Sequence, residues 1–320
     1  MTPLSSLIAA EIAASGPIPF SRFMELALYD LEYGYYRRPH DPFGKSGDFF
    51  TAEQLQPVFG ILIGRLLAGL RDELGCKEFT VVELGAGREE MRDALSGFRY
   101  IPMDAGRGRL PPGFAGAVFT NEFFDALPVE AVVRRGGQFH DMRVTVKDSR
   151  FEWIEGGPAR AEVADYLERF HGPREEGEFA EANLASLAWM DTITRSLDRG
   201  YIVTIDYGYT RRESIRFPRG TLMSYRRHTA LEDVLAEPGE RDITAHVNFT
   251  ALQEHGEALG LQTVRFETLA RALMRTGESD EFASALAAES PAEEQRRRLQ
   301  LKTLLFGMGE TFRLLLQKKG

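Results

Sequence analysis

The chain has 320 residues, with 39 Lys and Arg against 48 Asp and Glu, a formal net charge of −9 at pH 7. An apolar share of 43% and a charged share of 27% describe a globule that can bury a core. The excess of acid, with no basic block, weighs against a nucleic-acid surface, which needs clustered Lys or Arg. A single cysteine, Cys76, leaves no internal disulfide and no CxxC zinc site, and no apolar run approaches the ~18 residues that span a bilayer. The expectation is a cytoplasmic protein with neither membrane nor nucleic acid as a partner.

Leu4, Leu7, Ile8 and Ile12 follow helical spacing and predict a short docking helix, stopped by Gly16-Pro17. Phe20 to Tyr29 resumes the pattern with Phe23, Met24, Ala27 and Leu28 inward. Leu31 to Thr51 is loop-like and rich in aromatics; within it Tyr33 to Phe50, with hinges at glycines 34, 44 and 47, is expected to be a lid, the alternative being a packed connector that buries its own rings. Gln54 to Leu74 carries a broad apolar stripe and predicts a long helix, with Gly75 after its end.

Phe79 to Glu83 predicts a strand, followed by Gly85-Ala86-Gly87 and a helical stretch, Arg88 to Leu95. Phe98 to Met103 and Ala117 to Thr120 predict two more strands. Strands alternating with helices imply a doubly wound α/β sheet. Val129 to Val133, Gln138 to Val146 and Arg150 to Ile154 read as an antiparallel meander. Ala182 to Leu197 predicts a helix with Gly200 as its cap, before a buried strand, Tyr201 to Ile205. A helix over Phe249 to Leu259, a strand over Leu261 to Phe266 and an edge strand over Glu310 to Gln317 complete the chain. The expected division is an N-terminal helical and lid segment, 1–75, a sheet core, 76–135 with 182–320, and an inserted β-rich subdomain, 136–181.

The chemistry concentrates at the glycine loop. Gly85 and Gly87 permit a tight turn and close backbone approach, and Asp104 lies 19 residues beyond Gly85, the spacing at which a carboxylate reaches ribose hydroxyls. Glu89 and Glu90, at the start of the predicted helix, would repel a diphosphate where a dinucleotide places it. S-Adenosylmethionine carries a ribose and a sulfonium but no phosphate, and suits the loop better than NAD. The histidines show no HxxxH spacing, so no metal site is expected.

Several blocks together carry a resemblance. They include Gly47-Asp48-Phe49-Phe50-Thr51, Val82 to Arg88, Asn121-Glu122-Phe123-Phe124-Asp125-Ala126-Leu127-Pro128, Ile205-Asp206-Tyr207-Gly208-Tyr209 and Asp242 to Val247. With them the chain resembles the MidA-like family of class I S-adenosylmethionine-dependent methyltransferases, relatives of the mitochondrial arginine methyltransferase of complex I assembly. The resemblance implies a Rossmann-like methyltransferase sheet whose final strand is antiparallel. It implies cofactor contacts at Glu83, Gly85, Ala86, Gly87, Asp104 and Asn121, with Gly47, Asp48 and Phe49 folding over. Glu122 and Asp125, three residues apart, would act on the acceptor, because paired carboxylates suit a guanidinium fork. Tyr35, Phe124, Asp206 and Tyr207 would line the substrate side. The partner implied is a protein substrate, with arginine as the acceptor.

The chain departs from that pattern at one place above all. Only 16 residues, Ala105 to Thr120, separate the second strand from the Asn121 loop, too few for the usual third strand and its flanking helices. That gap motivates a competing reading as a non-catalytic assembly scaffold. A nicotinamide-dependent oxidoreductase is a third reading, disfavoured by Glu89, Glu90 and the missing third glycine.

Overall fold

The computed structural model describes residues 2–37, 55–226 and 229–320. The chain divides into two compact units: 1–50, 125–188 and 209–252 form the first, and 51–124, 189–208 and 253–320 form the second. This division falls elsewhere than the expected segments. Residues 55–75 belong with the sheet core, and 136–181 share a unit with the described N-terminal residues and with 209–252.

In the first unit, the helix Pro3–Ser15 starts at a Thr2 cap and buries Leu4, Ile8 and Ile12, while Leu7 points outward. Phe20–Tyr29 is a helix with Phe23, Met24, Ala27 and Leu28 fully buried, as its spacing predicts. The meander forms too: Glu130–Arg135, Gln138–Lys147 and Arg150–Pro158 pair antiparallel. Ile18–Pro19 joins Gln138–Lys147, and Phe179–Ala182 joins Glu130–Arg135, giving five strands.

The second unit is built on a sheet whose described path runs, in space, Gln262–Thr268, Phe312–Lys319, Leu197–Tyr209, Phe114–Asn121, Thr80–Leu84, Arg99–Met103. Phe312–Lys319 runs antiparallel to both neighbours, and the strands from Leu197 to Met103 are parallel. Residues 81, 117, 119, 201, 203, 205, 314 and 316 alternate onto one face. They pack there with the helices Val58–Leu74 and Leu269–Glu278. Val58–Leu74 starts later than its stripe, with Pro57 as its N-cap. Gly75 closes it in the left-handed conformation, φ 63°.

Three expectations are corrected here. Phe312–Lys319 is not an edge strand but lies inside the sheet. Its consecutive buried Leu314, Leu315 and Leu316 are the mark of a strand covered on both faces. Gly200 caps no helix: Leu184–Ser196 ends and the strand begins at Leu197, with Gly200 inside it. A Cβ on Gly200 would stand 1.9 Å from the Gly116 carbonyl oxygen, and one on Gly116 would stand 1.9 Å from that of Thr80. The pair lets three strands approach where side chains would block them. Arg88 to Leu95 forms consecutive turns rather than a helix. Glu89 takes φ 61°, and successive turn hydrogen bonds carry the short connection to Arg99 with Met91 and Leu95 buried.

Candidate active site

The site lies where the strand order reverses. From Thr80–Leu84 the chain steps to Arg99–Met103 on one side and then to Phe114–Asn121 on the other. In open parallel sheets the loops leaving such neighbouring strands diverge, and ligands bind in the crevice at their carboxyl ends.

At this point the glycine loop leaves Thr80–Leu84 with Gly85 at φ 76° and Gly87 at φ 46°. The Ala86 N–H donates to the Met103 carbonyl at 2.9 Å, tying the loop to the end of the neighbouring strand. A Cβ on Gly85 would lie 3.3 Å from the Phe123 ring, so the loop and the Asn121 turn approach each other closely. Glu83 is fully buried, and the Tyr100 hydroxyl donates to its Oε2 at 2.5 Å. Asp104 ends Arg99–Met103 with a partly exposed carboxylate, and Arg107 Nη2 lies 3.5 Å from its Oδ2.

Because no helix follows the loop, the argument from Glu89 and Glu90 changes. Glu89 pairs with Arg92 and lies 3.6 Å from Arg107, and Glu90 pairs with Arg88 at 2.6 Å. A diphosphate would find no helix N-terminus here at all, which removes the favourable dipole instead of opposing it.

Phe114–Asn121 ends in a strained turn. Glu122 takes φ 50°, rare for a long side chain, and its N–H donates to the Ile205 carbonyl at 3.0 Å. The Asn121 amide donates to Glu122 Oε1 at 3.3 Å. Phe123 packs edge-on against Phe124 and Trp189, both at 5.2 Å. The turn is held from below by Asp206. Its Oδ2 accepts the Phe124 N–H at 3.1 Å and its Oδ1 accepts the Tyr207 N–H at 2.9 Å.

The residues expected on the substrate side therefore take protein partners. Tyr35, Phe124 and Asp206 are buried, and Tyr207 sets its ring against Phe312 at 5.5 Å. Asp125 belongs to the first unit, where its carbonyl accepts the Ala245 N–H at 2.9 Å. In that unit the Tyr36 hydroxyl donates to Asp242 Oδ1 at 2.8 Å, and its ring stacks on Tyr29 at 5.6 Å. Burial first, then the Asp242 carboxylate, with smaller additions from Tyr29 and Asp125, holds the Tyr36 phenol protonated well above its usual range. Tyr33 to Arg37 is a packed connector, with Tyr35 and Tyr36 5.2 Å apart. Gly47, Asp48, Phe49 and the rest of the expected lid, from residue 38, lie outside the described residues.

A parallel sheet with one antiparallel strand, a glycine loop after its central strand and a carboxylate at the next strand end define the class: a class I methyltransferase fold. A family model described as "Putative S-adenosyl-L-methionine-dependent methyltransferase" matches residues 108–267. A Burkholderia thailandensis protein whose crystal structure holds S-adenosyl-homocysteine is 31% identical, with a TM-score of 0.85, over 99% of this chain and 92% of that one. The protein arginine methyltransferase NDUFAF7 homolog of Drosophila melanogaster, a mitochondrial protein, is 25% identical over 80% of this chain and 70% of its own. The Xenopus tropicalis NDUFAF7 is 24% identical over 76% and 68%. The chain belongs to this family of S-adenosylmethionine-dependent methyltransferases.

Proposed function

We propose that the chain transfers the methyl group of S-adenosylmethionine to an arginine side chain of a protein. The observation that carries the reading is the array at the switch point: Gly85 and Gly87 with positive φ, Asp104 at the adjacent strand end, and Asn121 with the strained Glu122 at the other. The residues fit the cofactor: a partly exposed carboxylate suits ribose hydroxyls, and a loop with no helix behind it suits a ligand with no phosphate. The arginine acceptor is drawn from relatives that are named protein arginine methyltransferases.

When bound, the cofactor supplies an activated methyl on a sulfonium, and no metal is required. The chain's own part is to bind, orient and exclude water. Asp104 would hold the ribose, Gly85, Ala86 and Gly87 the amino-acid end, with Glu83 beneath them. Asn121 would face the reacting side. Glu122 would pair with the guanidinium and stabilise its charge, its orientation fixed by the φ 50° turn and the Asn121 amide.

Labelling a cell lysate with S-adenosylmethionine carrying a radioactive methyl, followed by hydrolysis to amino acids, tests this. Label in methylarginine that falls about a hundredfold in Glu122→Gln, with S-adenosyl-homocysteine binding retained, is the expected result. Cofactor binding without any protein label would overturn the protein acceptor. No binding of the cofactor would favour the scaffold reading.

A further inference from the structure

The glycine loop stands without its usual supports. Turns replace the helix after it, and among the described residues Arg99–Met103 is the last strand of the sheet on that side. The loop nevertheless has a side chain bolted across it. Arg107 Nη2 donates to the Gly87 carbonyl at 2.6 Å and lies 3.5 Å from Asp104 Oδ2, while Nη1 lies 3.6 Å from Glu89 Oε1.

The backbone delivers that guanidinium to a fixed place. Asp104 and Arg107 exchange two backbone hydrogen bonds, at 3.0 and 2.8 Å, closing a four-residue turn on the end of the strand. Gly106, at φ 75°, supplies the left-handed residue such a turn needs. Gly108, at φ 79°, lets the chain double back: a Cβ there would lie 2.9 Å from Met103 Cγ and 3.0 Å from the Pro102 carbonyl oxygen. One planar cation thus bridges a loop carbonyl and two carboxylates, a geometry that the single point of a lysine ammonium cannot reproduce.

We propose that Arg107 is a positioning residue of the cofactor site, fastening the glycine loop to Asp104 in place of the helix and strand that this short connection lacks. The proposal rests on the assignment of the loop and Asp104 to the cofactor. Arg107 does not react; it pre-orders two groups that would otherwise be ordered at the moment of binding. Its side chain is 57% exposed, so its contacts add little to global stability, and their effect falls on the ligand.

Titration calorimetry with S-adenosyl-homocysteine on the full chain tests it, with thermal unfolding in parallel. Arg107→Ala is expected to weaken binding about tenfold with the melting temperature essentially unchanged, and Arg107→Lys to fall between. Asp104→Asn and Arg107→Ala together should cost less than the product of their separate losses, because one acts through the other. Equal affinity in Arg107→Ala and the native chain would overturn the proposal. Tighter binding in Arg107→Ala would overturn it as well, since the guanidinium would then be competing with the ribose. If the native chain binds no S-adenosyl-homocysteine, the cofactor reading itself fails and this one falls with it.

Discussion

Asp206 gives the most direct test of how the turn from Asn121 to Phe124 is held. The carboxylate is fully buried and accepts two backbone N–H groups, Phe124 at 3.1 Å and Tyr207 at 2.9 Å. Hydrogen bonds to a charged acceptor contribute roughly 1.5–3 kcal/mol each. Asp206→Asn keeps the volume and one acceptor oxygen, but turns an NH2 group towards one of the two N–H donors. One bond is then lost and the other is left with a neutral acceptor, a cost of at least about 2 kcal/mol. Amide hydrogen exchange reads this locally, at the turn itself, which matters in a chain of two units where global unfolding need not be two-state. Protection of the Phe124 amide should fall roughly thirtyfold, the ratio that about 2 kcal/mol represents. Affinity for S-adenosyl-homocysteine should fall with it, because the turn carries Asn121 and Glu122. Methyl transfer lost with Phe124 protection intact would refute the reasoning, and would return Asp206 to the substrate.

Two further outcomes follow from buried groups elsewhere. Burial first, then Arg174, pushes His171 down to about 3, and an arginine can only donate, so the Nδ1 lying 3.3 Å from Arg174 is the acceptor and Nε2–H faces the Tyr209 hydroxyl at 2.8 Å. The native state then leaves His171 neutral while the unfolded chain takes a proton below about pH 6.5. Stability should thus be full above that pH and fall as the pH drops towards 3, by about 2 kcal/mol at pH 5. His171→Gln should flatten this slope of melting temperature against pH; an unchanged slope would count against the assignment. Gly200→Ala places a methyl 1.9 Å from the Gly116 carbonyl oxygen and should lose about 4 kcal/mol or fail to give soluble protein. Gly97→Ala, with nothing within 4 Å of the added carbon, is the control, and similar melting temperatures for the two would refute the close-approach argument.

Much of the second unit is legible from sequence because its elements carry their own periodicity. Thr80–Leu84 and Arg99–Met103 lie within a residue or two of their apolar runs, and Gly75 stops its helix by backbone freedom alone. The site is legible for the same local reason. A glycine turn and a carboxylate 19 residues on are set by one strand, one loop and one more strand. The misread elements fail where local pattern underdetermines the answer. Arg88 to Leu95 has helical spacing at Met91 and Leu95, yet Glu89 in the left-handed region and the nearness of Arg99 allow only turns. Asp206 looks like a polar strand end in sequence, and only the return of Phe124 over it makes it a buried acceptor.

By itself, the sequence determined the class of sheet, the position of its glycine loop and the short connection after Arg99–Met103, because each follows from the order and length of neighbouring segments. The tertiary structure alone decided that Phe312–Lys319 lies inside the sheet, that Gly116 and Gly200 bring strands together, and that Arg107 lies across Gly87 and Asp104. The physical reason is range. A side chain's alternation records whether it is buried, but what buries it is set by partners such as Gly116 and Gly200, which are far apart along the chain and adjacent only once it has folded.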